Sequence, residues 1–221
     1  MSITLYGISG SPFVWRVLLA LEHKSLVYDL TSIGVSKGEN KLDWYLSMNP
    51  RGKVPVLKDG DTVVYESIAI LSYLERKYPK SKLFGSTAKQ HASIMTQVME
   101  QCSYMEQDTL QIVRPIFFGG VEESRDLMIQ AVDRVEQELN HLEKILEQKK
   151  WLTGDEMSAA DIGLFPLLMI QQRALGKTEA DTLNLSFNPL SDQYPNLLRW
   201  SQQIEALPYY QKTYPPHWRN L

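Results

Sequence analysis

The sequence predicts a small α/β domain followed by an all-α domain. Two patterns carry this reading. As far as about residue 80, short β-prone runs alternate with stretches of helical periodicity. Beyond it, apolar residues recur only at spacings of three and four, and no strand pattern is present. Pro79 and a Ser/Lys-rich stretch to Lys89 separate the two regions. The expected division is therefore residues 1–80, a linker at 81–89 and a helical domain at 90–221.

Within the first region, Ile3 to Tyr6 is a β-prone run that stops at Gly7. Ser11 then stands as an N-cap ahead of Pro12, whose fixed φ and missing N–H suit the first helical position. Val14, Val17, Leu18 and Leu21 follow at helical spacing, which predicts a helix to about Lys24. A second strand is expected at Leu26–Leu30 and a short helix at Leu42–Leu46, ending before Asn49-Pro50. Val54–Leu57 and Thr62–Tyr65 flank Asp59-Gly60, a hairpin turn, and Ser67–Tyr78 returns to helix.

In the second region, Met95, Met99 and Cys102 stand at helical spacing. Met128, Val132, Val135, Leu139, Leu142 and Leu146 step alternately by four and three, the mark of a long amphipathic helix. Ser158-Ala159-Ala160-Asp161 has the spacing of a capping box, with Asp at the place of the usual Glu or Gln; Met157 and Ile162 stand where a hydrophobic staple would be. Pro166 is expected to bend the helix that follows. Leu197, Trp200 and Ile204 form one more helical face.

Composition narrows the function. The 221 residues carry 23 Lys+Arg against 26 Asp+Glu and are 43% hydrophobic. A net charge of −3 leaves no basic surplus for binding a phosphate backbone, so nucleic acid is not an expected partner. One cysteine, Cys102, excludes an intramolecular disulfide and every cysteine-pair metal spacing, which points to a reducing, cytoplasmic setting. The first seven residues have no signal-peptide pattern, and no apolar run approaches the ~20 residues of a membrane span.

Ordered segments then carry a family resemblance along nearly the whole chain. They are Ser11-Pro12-Phe13 with Arg16-Val17, Gly38-Glu39-Asn40-Lys41, Asn49 to Leu57, Asp59-Gly60, Tyr65 to Ile70, Leu152 to Asp155, and Ser158 to Asp161. None is specific alone, but the ordered set resembles the cytosolic glutathione transferases. Ser-Pro-Phe is similar to the tau class; Gly-Glu-x-Lys and Pro166, five residues after Asp161, are similar to phi. Phi-like sequences carry His where Asn40 stands. The resemblance implies a thioredoxin-like first domain that binds glutathione, a helical second domain that holds an apolar electrophile, a homodimer, and no metal or membrane partner.

It also implies roles for particular residues. Conjugation needs a thiolate, and a cysteine-like thiol with a pKa of ~8.5 is only a few per cent ionised at neutral pH. Lowering that pKa by two units takes about 2.7 kcal/mol. One charge-assisted hydrogen bond, worth ~1.5–3 kcal/mol, together with a helix N-terminus can supply it. Ser11 is the expected source, although a serine before proline at a helix start ordinarily only caps the helix. Ser9 is the second candidate.

The backbone of Val54, before an expected cis Pro55, would pair with the cysteinyl unit. Glu66 would meet the γ-glutamyl ammonium, and Ser67 with the helix N-terminus its carboxylate. Lys53, Lys41 and Asn40 would meet or lie near the glycyl carboxylate, although an isolated surface lysine is usually just solvated. Phe13, Tyr104, Arg114, Phe117 and Phe118 are the candidate walls of the electrophile pocket; aromatics at helical spacing more often belong to a core.

Two alternatives stand beside conjugation. One is a non-catalytic binding or regulatory module on the same fold. The other is different glutathione chemistry, such as peroxide reduction or dehalogenation. The zeta-type Ser-Ser-Cys run is missing, which weighs against isomerisation, and Ser11-Pro12-Phe13-Val14 has no sulfur for disulfide exchange.

Overall fold

A computed structural model describes residues 2–181, 183 and 190–219. The chain divides into two units: Met1–Phe84 together with Pro208–Leu221, and Gly85–Leu207.

The first unit is built on a four-stranded sheet in the order β2-β1-β3-β4. β1 (Ile3–Gly7) pairs parallel with β2 (Tyr28–Ser32) and antiparallel with β3 (Val56–Asp59), which pairs antiparallel with β4 (Thr62–Tyr65). Alternate residues Ile3, Leu5 and Gly7 of β1 face inward. A Cβ at Gly7 would lie 2.6 Å from a Val14 methyl, so glycine lets the strand approach α1 (Pro12–His23). α2 (Asp43–Leu46) and α3 (Ser67–Lys77) complete this part of the chain.

Three boundaries differ from the sequence reading. β2 starts two residues late because Leu26 is used to close α1: its N–H donates to Leu21 O (3.0 Å) while Ser25 turns left-handed at φ 52. β3 starts at Val56, after a cis Val54-Pro55 bond. Asp59 is not a turn residue but a ladder residue opposite Thr62, so the hairpin turn is Gly60-Asp61. Buried Asp59 accepts from Tyr73 and Tyr78 (3.1 and 2.6 Å) and pairs with Lys77 (2.8 Å), which anchors α3 to the sheet. Lys24 Nζ, also buried, donates to Glu75 and to the carbonyls of Tyr78, Lys80 and Ser81, pinning the chain as it leaves α3.

The second unit is helical, apart from one isolated bridge, Trp151–Gly154, among the described residues. α4 (Ala88–Glu100) opens with a Thr87/Gln90 capping box and runs into a π-helical segment, Gln101–Met105, then α5 (Glu106–Phe118). The buried face here is Ile94, Val98, Gln101 and Met105, displaced by one from Met95, Met99 and Cys102. Gln101 is buried because its amide donates to Ala160 O (2.9 Å). α6 (Val121–Gln148) buries all six residues of the predicted seam. α7 (Ala159–Leu175) runs on through Pro166, and α8 (Thr178–Asp181) and α9 (Pro195–Glu205) follow. Among the described residues, no helix is long and apolar enough to cross a membrane.

Asp161 ties this unit together. Its Oδ2 accepts from Ser158 N–H and O–H, closing the predicted capping box, while Oδ1 accepts from Leu152 N–H and the Trp200 indole, both at 2.9 Å.

The last segment holds α10 (Tyr210–Thr213) and a 3-10 turn, Pro216–Trp218. Sequence placed it with the helical domain, but it packs on α1 of the first unit. Trp15 meets the rings of Tyr210, Tyr214 and Trp218 and donates to Thr213 Oγ1 at 3.0 Å.

Candidate functional site

Sheet topology brings the predicted residues to one end of the first unit. β1 runs out at Gly7 into the Ser9–Ser11 loop, and its parallel neighbour β2 runs out at Ser32 into the loop carrying Asn40 and Lys41. β3 is antiparallel to β1, so the segment that enters it, Lys53-Val54-Pro55, lies at that same end: Tyr6 pairs with Val56. Val56 also pairs with Tyr65, which puts Glu66 and the start of α3 there too. The ends of parallel strands are where open α/β sheets bind ligands.

Ser11 does cap α1. Its oxygen accepts from Val14 N–H at 3.4 Å, and its own carbonyl takes the first helical bond, from Trp15 N–H at 3.0 Å. A hydroxyl has one hydrogen and two acceptor lone pairs. The cap uses a lone pair, so it does not consume the hydrogen that a thiolate would need. The half-buried position at a helix N-terminus adds the positive end of the peptide dipoles.

Glu66 has φ 68 and ψ 116, an uncommon backbone for a residue with a side chain, and its carboxylate is exposed and makes no cap to α3. Backbone of this kind is recurrent at functional sites. Ser67 is 6% exposed. Its hydroxyl accepts from Arg16 Nη1 at 3.4 Å, linking α1 to α3. Arg16, 1% exposed, also stacks its guanidinium 5.1 Å from the centre of the Phe13 ring. A fixed positive charge therefore lies beside the N-terminus of α3. Arg16 was visible only as part of a motif; its burial and its partner are tertiary facts.

The 40–54 segment is held from inside. Asn40 is buried, and its amide donates to Gly52 O (2.6 Å), so this side chain braces the loop. Gly52 has φ +59, and a Cβ there would stand 2.7 Å from Asn40 O and 2.9 Å from Lys41 Nζ. Lys53 points its exposed side chain outward while its carbonyl accepts from Tyr45 O–H and Asn49 Nδ2, both at 2.8 Å. Burial pushes the Tyr45 phenol up to about 12, which keeps it a neutral donor. Tyr45 and Asn49 are supports that motif reading left out. Val54 packs beside Tyr45, Ile33 and Val56.

The five pocket candidates lie on three elements of the two units. Phe13 belongs to the first unit, against Arg16. Tyr104 lies in the π segment and is 60% exposed, while Arg114, Phe117 and Phe118 lie at the far end of α5, Phe118 at 85%. Along the helix, Tyr104 and Phe118 stand about 20 Å apart. Among the described residues, no three of His, Cys, Asp and Glu gather as metal ligands.

A mixed four-stranded sheet with helices α1 and α3 and a following helical unit defines a thioredoxin-like architecture joined to an all-α unit. Comparison with known proteins agrees. Residues 10–77 match the family described as glutathione S-transferase, N-terminal domain, and residues 101–208 the corresponding C-terminal domain. Glutathione S-transferase 4 of Zea mays is 30% identical, with 94% of this chain and 89% of that protein covered. Glutathione S-transferase 1 of Dianthus caryophyllus is 31% identical, with 92% and 93% covered. Among solved structures, a glutathione S-transferase from the Antarctic clam Laternula elliptica is similar at a TM-score of 0.81, 33% identity and coverage of 100% and 95%. Poplar glutathione transferase F1 is similar at 0.84, 28% identity and 96% of each chain. The chain belongs to the glutathione S-transferase family, and it is a glutathione transferase.

Proposed function

We propose that this transferase is of the serine type, that Ser11 stabilises the glutathione thiolate, and that the acceptor is an apolar electrophile held mainly by the second unit. The observation that carries this is the Ser11 cap: it engages a lone pair and leaves the hydroxyl hydrogen for an anionic sulfur. The thiolate then attacks by displacement or addition, and the protein's contribution is pKa tuning plus positioning. Val54 presents backbone to the cysteinyl unit, and Glu66 its carboxylate to the γ-glutamyl ammonium. The γ-glutamyl carboxylate meets Ser67, backed by Arg16. Lys53 and Lys41 supply charge for the glycyl carboxylate, while Asn40 acts through the loop it braces. The same reading carries a two-fold homodimer, a cytoplasmic setting, and no nucleic-acid or membrane partner.

Retention on a glutathione column followed by turnover of a halogenated nitroaromatic acceptor tests the activity. Ultraviolet titration of bound glutathione in Ser11→Ala tests the serine: its thiol pKa should rise. Retention without turnover would favour a binding module, and an unchanged pKa would remove Ser11 from the mechanism.

A further inference from the structure

The C-terminal segment is fastened along α1 from one end to the other. At the end of the helix His23 shares a 3.1 Å hydrogen bond with Tyr209, and Lys212 pairs with Glu22 at 2.6 Å. Midway, Trp15 is enclosed by aromatic rings and donates to Thr213. At the beginning of the helix the tail reaches the loop that ends in Ser11. His217 Nδ1 lies 3.3 Å from Ser9 Oγ. A Cβ on Gly10, whose φ is +87, would stand 3.0 Å from the His217 ring and 3.2 Å from the Trp218 indole nitrogen. Residues some 200 positions apart thus meet on a three-residue loop, two residues before the hydroxyl that the proposed mechanism needs.

From this geometry we infer that His217 is a positioning residue for the reaction: through Ser9 it holds the Ser9-Gly10-Ser11 loop so that the Ser11 hydroxyl is aimed at the thiolate. The physical reason lies in what the loop lacks. Ser11 N–H reaches back to Ile8 O over 3.3 Å, and the cap to Val14 is 3.4 Å, both long for hydrogen bonds. Gly10 adds a backbone of wide conformational freedom. The Ser11 carbonyl is held by Trp15 N–H at 3.0 Å, but the loop ahead of it has only these long bonds; the 3.3 Å His217–Ser9 contact adds one more, and the His217 and Trp218 rings packed against Gly10 restrain the loop sterically from outside. A catalytic group needs its supporting contacts to hold it within about 0.5 Å. The inference rests on the assignment of Ser11.

The test uses the full chain and four variants: His217→Ala, His217→Asn, Ser9→Ala, and Ser9→Ala with His217→Ala. His217 is exposed, so its truncation is compatible with folding, which a melting curve checks. His217→Ala should lower kcat about threefold to tenfold, the size of one neutral hydrogen bond, and raise the thiol pKa of bound glutathione, with glutathione affinity held within about twofold. Ser9→Ala should reproduce this, the double variant should be no worse than either single one, and His217→Asn should recover a large part of the loss. Wild-type kcat and thiol pKa in His217→Ala would overturn the inference. So would additive losses in the double variant, or a fall in melting temperature and affinity with the thiol pKa unmoved. A wild-type protein that neither binds glutathione nor turns over acceptor would instead remove the serine-type reading, and this inference with it.

Discussion

Arg16 Nη1 donates to the Ser67 hydroxyl across 3.4 Å, joining the first helix of the sheet unit to the third through a guanidinium that solvent does not reach. Its burial fixes a positive charge beside the start of α3. Ser67 opens α3, where helix dipole and backbone N–H groups favour the same sign of ligand.

Arg16→Met keeps the length of the side chain and removes the charge. Glutathione affinity should fall about tenfold to a hundredfold, the value of a hydrogen bond to a charged group. Arg16→Lys should fall between, since an ammonium keeps the charge and loses the planar fork. Calorimetric titration checks both; wild-type affinity in Arg16→Met would exclude Arg16 from ligand binding.

Ser11 has two roles that substitution can separate. Ser11→Ala removes cap and hydroxyl together, whereas Ser11→Gly restores most of the capping preference, since serine to glycine at an N-cap costs only a few tenths of a kcal/mol. Both variants should show the same raised thiol pKa and lowered kcat, while Ser11→Gly melts closer to wild type. Thiolate absorbance against pH, with urea unfolding, distinguishes the two effects.

Gly52→Ala should disturb the loop through its backbone and crowd the Lys41 ammonium, 2.9 Å from the added carbon. The added carbon meets Asn40 O at 2.7 Å, backbone that cannot swing away, and the φ of +59 is strained for alanine. Expected are a loss of stability of about 1–3 kcal/mol and weaker glutathione binding through displaced Lys41 and Lys53. Lys53→Ala should weaken binding alone, more at low than at high salt.

Asp161→Asn should damage stability rather than chemistry. An asparagine that keeps its oxygen on Leu152 N–H and the Trp200 indole turns its NH2 toward the Ser158 N–H, donor against donor. A cost of roughly 1–3 kcal/mol follows from the unsatisfied buried donor. Urea titration should show a lower midpoint, with activity per folded molecule unchanged.

Acid sensitivity should come in part from Asp59. Burial alone would raise its carboxyl, but hydrogen bonds from Lys77, Tyr78 and Tyr73 outweigh it and hold the group below the ordinary carboxylate range. With the folded pKa depressed, this contribution is fully present above the unfolded value, about 3.9, and is lost as pH falls through the lower folded value. Asp59→Asn should be less stable at neutral pH and should lose less on acidification. Unfolding curves between pH 2 and 7 check the sign, and parallel curves for the two proteins would refute it.

Much of the site was legible because its parts are local. Ser11 and Pro12 are adjacent, so the cap could be read directly; Glu66-Ser67 opens a helix marked in the sequence by Ile68, Leu71 and Leu74, of which Leu71 and Leu74 are buried together with Ile70. Asp161 was readable as a cap because its partner is three residues away, and its bond to Trp200 was not, because the two stand 39 positions apart. The same limit hid the Arg16–Ser67 bond. The displaced buried face in α4 has this cause too: Gln101 is buried by a carbonyl on another helix, and no periodicity encodes that.

Hydrophobic period, caps and turn residues act over a few positions, so the sequence by itself determined the order of elements, the two-domain plan and the segments that the sheet gathers at one end of the first unit. Where the aromatic tail docks, which charge is buried beneath α3, and how the Ser11 loop is held depend on contacts between distant residues. Those were decided only when the sheet brought β1, β3 and β4 into register and left α1 a surface for Tyr214 and Trp218 to cover.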